Sequence, residues 1–166
     1  MKVLITILIS LGVIMNAIAE PVRIETNSFL FELPVGWKII ELSSQAKLNG
    51  PNNEFLIVSS YNISGEGKKS DLKAIKEEFG KNIVKTMQES ASESDLNITS
   101  QLINQTSPNG YPIWSIHTET KDGSQFFDQF GTVGIKTAIL VTIEGILKNK
   151  SSSEVVFNAV REIKWY

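Results

Sequence analysis

The chain holds one histidine, His117, and two residues that could make it reactive lie close to it in sequence. Asp122-Gly123 reads as a hairpin turn. Pairing Lys121 with Ser124 across that turn sets Glu119 opposite Phe126 and His117 opposite Asp128. Ser115 falls on the same strand face as His117, two residues along. A serine, a histidine and an aspartate on one sheet face are the raw material of nucleophilic catalysis. The spacing argues against that use. Two residues along a strand cover about 6–7 Å, too far for the hydroxyl–imidazole bond that activates a nucleophile. No Gly-x-Ser-x-Gly elbow occurs either. Read plainly, His117 and Asp128 form a cross-strand ion pair, which on a surface contributes little. A one-residue slip from a bulged turn would break the pair.

Other chemistry has less support. One histidine and no cysteine cannot make an ordinary zinc site. The acidic residues show no calcium-loop pattern, and no phosphate-cradling glycine loop or dinucleotide fingerprint is present. The expectation is therefore no metal and no cofactor. The densest aromatic group is Phe126, Phe127 and Phe130 beside Trp114. Core packing is its first use. Any exposed part of it would anchor a protein partner, since interface hot spots favour aromatic residues. On that reading Trp114, His117, Phe126, Asp128 and Phe130 form the protein-binding surface.

The elements that must carry these residues follow from periodicity. Val22–Glu25, Phe29–Leu33 and Lys38–Leu42 read as strands, and Phe29, Phe31 and Leu33 alternate with Leu30 and Glu32. Pro34-Val35-Gly36-Trp37 breaks the run. Ser43 to Asn53 reads as a loop, as does Ser64 to Lys69. Glu54 to Ile63 is a longer strand with apolar residues on both sides, so cover on both faces is expected. A helix follows, capped by Ser70 with Asp71 in its first turn, and Leu72, Ile75, Phe79, Ile83 and Met87 line one face. Gly80 weakens it slightly. Ile98–Gln105, Tyr111–Glu119, Gln125–Phe130 and Thr137–Ile143 read as strands. Asn109-Gly110 and Asp122-Gly123 mark hairpins between them. A last helix, capped by Ser152 or Ser153, presents Val156, Val160 and Ile163. Hairpins imply antiparallel pairing. The expected fold is α+β: one twisted antiparallel sheet sandwiched by the amphipathic central helix and the C-terminal helix.

The ends and the composition bound the setting. Lys2, the apolar run from Val3 to Met15 and Ala17-Ile18-Ala19 before Glu20-Pro21 have the layout of a secretory signal peptide. The run is short for a membrane span, which needs about 20 apolar residues. Residues 1–19 are therefore read as a cleaved signal, with 20–166 as a single domain and no transmembrane segment after cleavage. The formal net charge is −2, and nothing marks a nucleic-acid or anionic-membrane surface. With no cysteine, no lipid anchor or disulfide framework is available, and a domain of this length can build one core without staples.

Phe31-Glu32-Leu33-Pro34-Val35-Gly36-Trp37 resembles the Phe–x–x–Pro–x–Gly–Trp opening of PsbP-like proteins. The helix after the early strands and the hairpin sheet closed by a C-terminal helix agree with it. The resemblance implies a fold shared with the extrinsic PsbP subunit of photosystem II and with bacterial periplasmic DcrB-like proteins. It implies protein binding rather than catalysis, and a fold-marking role for Trp37, packed under a helix. The function expected is that of a non-enzymatic periplasmic module that binds another exported or envelope protein. It could be an immunity-like inhibitor of a periplasm-delivered toxin, or an accessory factor for envelope assembly or uptake. A hydrolase using His117 is the remaining alternative.

Overall fold

Hairpins organise most of the chain in the computed structural model, which describes residues 20–63 and 72–166. The strands are β1 (Val22–Glu25), β2 (Phe29–Leu33), β3 (Lys38–Leu42), β4 (Gln45–Asn49) and β5 (Phe55–Asn62). After α1 (Leu72–Glu93) come β6 (Leu96–Thr106), β7 (Pro112–Thr120), β8 (Gln125–Val133) and β9 (Thr137–Ile146). A single 3-10 turn, Leu147–Asn149, leads into α2 (Ser151–Arg161), and β10 (Lys164–Trp165) ends the chain. The proposed signal segment, the Ser64–Lys69 loop, Ser70 and Asp71 lie outside the described residues.

The strands form two sheets where one was expected. Seven strands pair in the order β3-β4-β5-β9-β8-β7-β6, and a small sheet is ordered β1-β2-β10. Every pairing is antiparallel. The split has a local cause. Pro34 and the positive φ of Gly36 (110°) turn the chain between β2 and β3, so β2 leaves the main sheet and pairs with the chain's end. The reading of Ser43 to Asn53 as a loop also fails in part. β4 occupies its middle, because Ala46 and Leu48 alternate with Gln45 and Lys47 and bury against the core.

Two apolar layers hold the sheets. On one face of the large sheet Leu48, Leu56, Val58, Phe126, Phe130, Val141 and Ile143 meet Phe29, Phe31 and Leu33 of the small sheet and Val156, Val160 and Ile163 of α2. Trp37 joins this layer, as the sequence implied. On the other face α1 lays Val84 and Met87 over Trp114, Ile116, Val133 and Ala138, with Phe79 and Ile83 packed alongside. Each fully buried Phe, Leu or Ile side chain contributes about 1.5–3 kcal/mol relative to exposure. The side chains of Leu72 and Ile75 lie outside the described set. α1 packs mainly on β6, β7 and β8. β5 is thus fully covered on one side only: Leu56 and Val58 are buried, while Phe55 and Ile57 are half-buried and Tyr61 is exposed. No described helix is long and apolar enough to cross a membrane.

Candidate functional site: a carboxylate cluster at the start of the last helix

The β7–β8 hairpin has the register read from the turn. Glu119 pairs with Phe126 and His117 with Asp128. The turn keeps that register because the Asp122 carboxylate accepts from the Thr120 hydroxyl at 2.6 Å, the Ser124 hydroxyl at 2.8 Å and the Ser124 N–H at 3.0 Å. These bonds, with Thr120 first, lower the Asp122 carboxyl to about 2.

His117 and Asp128 meet as expected, with Nδ1 2.9 Å from Oδ2. Their setting differs from the surface pair of the sequence reading. Asp128 is 0% exposed, while His117 keeps 24% of its side chain in solvent. The buried carboxylate is satisfied by three groups from two elements. His117 of β7 and the Ser153 hydroxyl of α2 share Oδ2, and the Thr118 N–H donates to Oδ1 at 3.0 Å. The imidazole is further fixed edge-on against Phe130, with centroids 5.6 Å apart. An imidazole that donates Nδ1–H to a buried carboxylate keeps Nε2 as its acceptor. His117 lines an open cleft of about 620 Å³ with Ser100, Lys150, Ser151, Glu154 and Phe157.

This constellation is not a nucleophilic triad. The serine beside the pair is Ser153 rather than Ser115, and its hydroxyl bonds the aspartate rather than the imidazole. In an activated set the histidine stands between serine and aspartate, so that it can take the hydroxyl proton. Here the aspartate stands between. The arrangement orients a histidine and docks a helix.

A second carboxylate mirrors the first. Glu54, just before β5, is 1% exposed. It accepts from the Ser152 hydroxyl, from the Asn52 N–H at 2.9 Å and from the Asn52 side-chain amide at 3.2 Å. Burial alone would raise the Glu54 carboxyl. The Ser152 hydroxyl and the Asn52 donors outweigh burial and hold it below the ordinary value. Gly50 and Gly145 make the room: a Cβ on Gly50 would lie 3.0 Å from Glu54 Cβ and 3.1 Å from Trp37 Cη2, and one on Gly145 3.2 Å from Glu54 Cγ. Ser152 and Ser153 are therefore not the cap expected of them. α2 begins at Ser151 with Lys150 at the N-cap position and no side-chain cap bond. The two hydroxyls instead tie the first turn to Glu54 and Asp128, and Lys150 pairs with Glu119 of β7. Sequence reasoning missed Glu54, because a glutamate opening a strand gives no sign that it is buried.

Four of the five residues expected on a protein-binding surface are buried. Trp114, Phe126, Asp128 and Phe130 are 2%, 1%, 0% and 0% exposed. Trp114, Phe126 and Phe130 are core, spread over both sheet faces; Phe127 is half-buried, and of the five residues only His117 reaches solvent. The exposed apolar surface lies elsewhere. Among the described residues Val35, Ile39, Ile40 and Leu42 are 51%, 41%, 53% and 67% exposed. Three of them are on β3, one of the two edge strands of the large sheet. Ile39 and Leu42 stand opposite the buried Leu48 and Ala46, so they extend the core-facing side past its cover. A bulge between Ile39 and Glu41 sets Ile40 apart from the ladder.

Comparison with protein-family profiles gives no match, and comparison with curated proteins gives none. Among solved structures the chain is similar to the solution structure of cyanobacterial PsbP (CyanoP) from Synechocystis sp. PCC 6803. The TM-score is 0.58 at 13% identity, over 92% of this chain and 96% of that one. The architecture is the PsbP-like α+β fold.

Proposed function

We propose that this PsbP-like chain is a non-enzymatic protein-binding module of the bacterial periplasm, which docks another exported or envelope protein on the β3 edge. The observation that carries the reading is the exposure of Val35, Ile39, Ile40 and Leu42 together. A contiguous apolar patch marks an interaction site, and an edge strand offers unpaired backbone groups to an incoming segment. Long flat edges invite aggregation, and the bulge at Ile40 interrupts this one. Docking here rests chiefly on the apolar side chains. The order of bonds around Asp128 supports the non-enzymatic part, since it activates no serine. An immunity-like inhibitor and an accessory factor for envelope assembly or uptake are two forms of the same reading, and the partner's identity separates them.

The test is affinity capture from an exported-protein fraction with the chain from Glu20 and with an Ile40→Lys/Leu42→Lys variant. Both positions are on the surface, so stability should change by no more than about 0.5 kcal/mol per site. The wild type should retain one partner in stoichiometric amount and the variant should lose it. A variant that holds the same partner, or a wild type that captures none across growth conditions, would overturn the reading.

A further inference from the structure

The first turn of α2 is attached differently from the rest of the helix. Val156, Val160 and the following Ile163 are 0%, 1% and 2% exposed and anchor the helix by apolar burial. Between Leu147, which packs half-buried against the core, and Val156 there is no such anchor. Ser151 is exposed, Val155 is 38% exposed, and the buried Ser152 and Ser153 are polar. What ties this turn to the sheet is a set of polar bonds. Ser152 bonds Glu54, Ser153 bonds Asp128, Lys150 pairs with Glu119, and the Asn149 amide donates to the Asn52 carbonyl at 3.3 Å.

We infer that this turn is an acid-sensitive latch: protonating the buried Glu54 carboxylate frees residues 148–155 from the sheet while the rest of the fold persists.

The chemistry is a count of donors and acceptors. As a carboxylate, Glu54 accepts from three donors on two oxygens. As an acid it loses the charge that strengthens these bonds, and its proton takes one of the lone pairs they draw on, so all three are weakened together. Asp128 also has three bonding partners, His117, Thr118 and Ser153, and through Ser153 it holds the same turn to β8. The charged and titratable groups around the turn do not compensate. Glu54 has only neutral partners, from the 50–54 turn and from α2. Asp128 faces one titratable group, His117 of β7. Lys150 is held by Glu119. Glu154 lines the His117 cleft, and Glu144 on β9 is exposed. The sign follows from Glu54, whose carboxyl lies below its ordinary value when folded. Its contribution is complete above the unfolded carboxylate pKa and is lost as pH falls through the lowered folded value.

Opening would widen two clefts at once. One is the His117 cleft. The other is formed by Val35, Trp37, Pro51, Asn52, Ser152 and Val155 beside the β3 edge. The latch stands independently of what docks on β3.

Hydrogen exchange on the whole chain tests it, with rates corrected for the intrinsic pH dependence of exchange. As pH falls from about 7 to about 3, protection of residues 148–155 should be lost progressively, chiefly below the ordinary glutamate value of about 4.3, while α1 and β7–β9 keep theirs. Glu54→Gln should show the same local loss at neutral pH. Should that variant fail to fold, the Ser152→Ala/Ser153→Ala pair removes only the donors and serves in its place. Unchanged protection of 148–155 down to about pH 3 overturns the latch. So does loss of that protection only together with α1, or a folded variant with wild-type protection at neutral pH.

Discussion

Gly80→Ala separates two arguments by sign. Seen as a helix residue, Gly80 is a weak point, and alanine there should stabilise α1 by about 1 kcal/mol. The packing says otherwise. Gly80 is buried on the inner face of α1, where the Trp114 ring lies against the helix backbone. A Cβ at this position would fall inside the indole, with even the third-nearest ring atom, Nε1, at 2.8 Å. Trp114 is 2% exposed and packs in one cluster with Val84, Met87, Ile116, Val133 and Ala138, so moving the ring costs those contacts. Inserting a methyl into such a contact costs about 1–3 kcal/mol, and a ring overlap belongs at the upper end. Against the helix gain, the net is a destabilisation of about 2 kcal/mol, or a fall in Tm of about 4–8 °C for a domain of this size. Urea unfolding followed by far-UV circular dichroism measures it. A companion Trp114→Phe/Gly80→Ala chain should show a coupling of about 1 kcal/mol or more, because the smaller ring relieves the overlap. A Gly80→Ala protein as stable as the wild type, or more so, would refute the packing argument.

Ser153→Ala should destabilise the fold by about 1–3 kcal/mol in the same urea assay, since it takes a donor from a fully buried carboxylate. Asp128→Ala should cost more, because it strands the His117 and Ser153 donors and leaves a cavity. Asp122 should titrate near 2 in a carboxyl-carbon NMR titration. The stability difference between the wild type and Asp122→Asn should be complete above the unfolded aspartate pKa of about 3.9 and vanish as pH falls through the folded value. His117→Ala should leave capture of the partner unchanged, whereas a hydrolase built on this residue would lose its function altogether.

Several features were legible in the residues because they are local. Asp122-Gly123 set the β7–β8 register, and with it the meeting of His117 and Asp128, because a hairpin turn fixes every pair behind it. Pro34 and Gly36 ended β2 for the same kind of reason. The Phe31–Trp37 segment pointed to the fold that the comparison with CyanoP bears out over 92% of the chain. β4 was obscured by the polar residues around Ala46 and Leu48, whose alternation is too short to stand out.

What the residues alone could not decide is which side chains the third dimension brings together. The strand pattern of β8 marks Asp128 as facing the same way as Phe126 and Phe130, but not that α2 closes over it. Ser152 and Ser153 sit where helix caps usually sit. Only the packing of α2 across β8 and β9 turns them toward carboxylates 98 and 25 residues away in sequence. Burial is a property of the assembled layers, so the aromatic residues that looked like a partner surface became core. β3 could be recognised as an edge only once the strand order was known. The turns, the register of one hairpin and the fold class were legible in the residues, because they depend on neighbours along the chain. The tertiary structure decided the site, because a buried carboxylate is defined by the donors that long-range packing delivers to it.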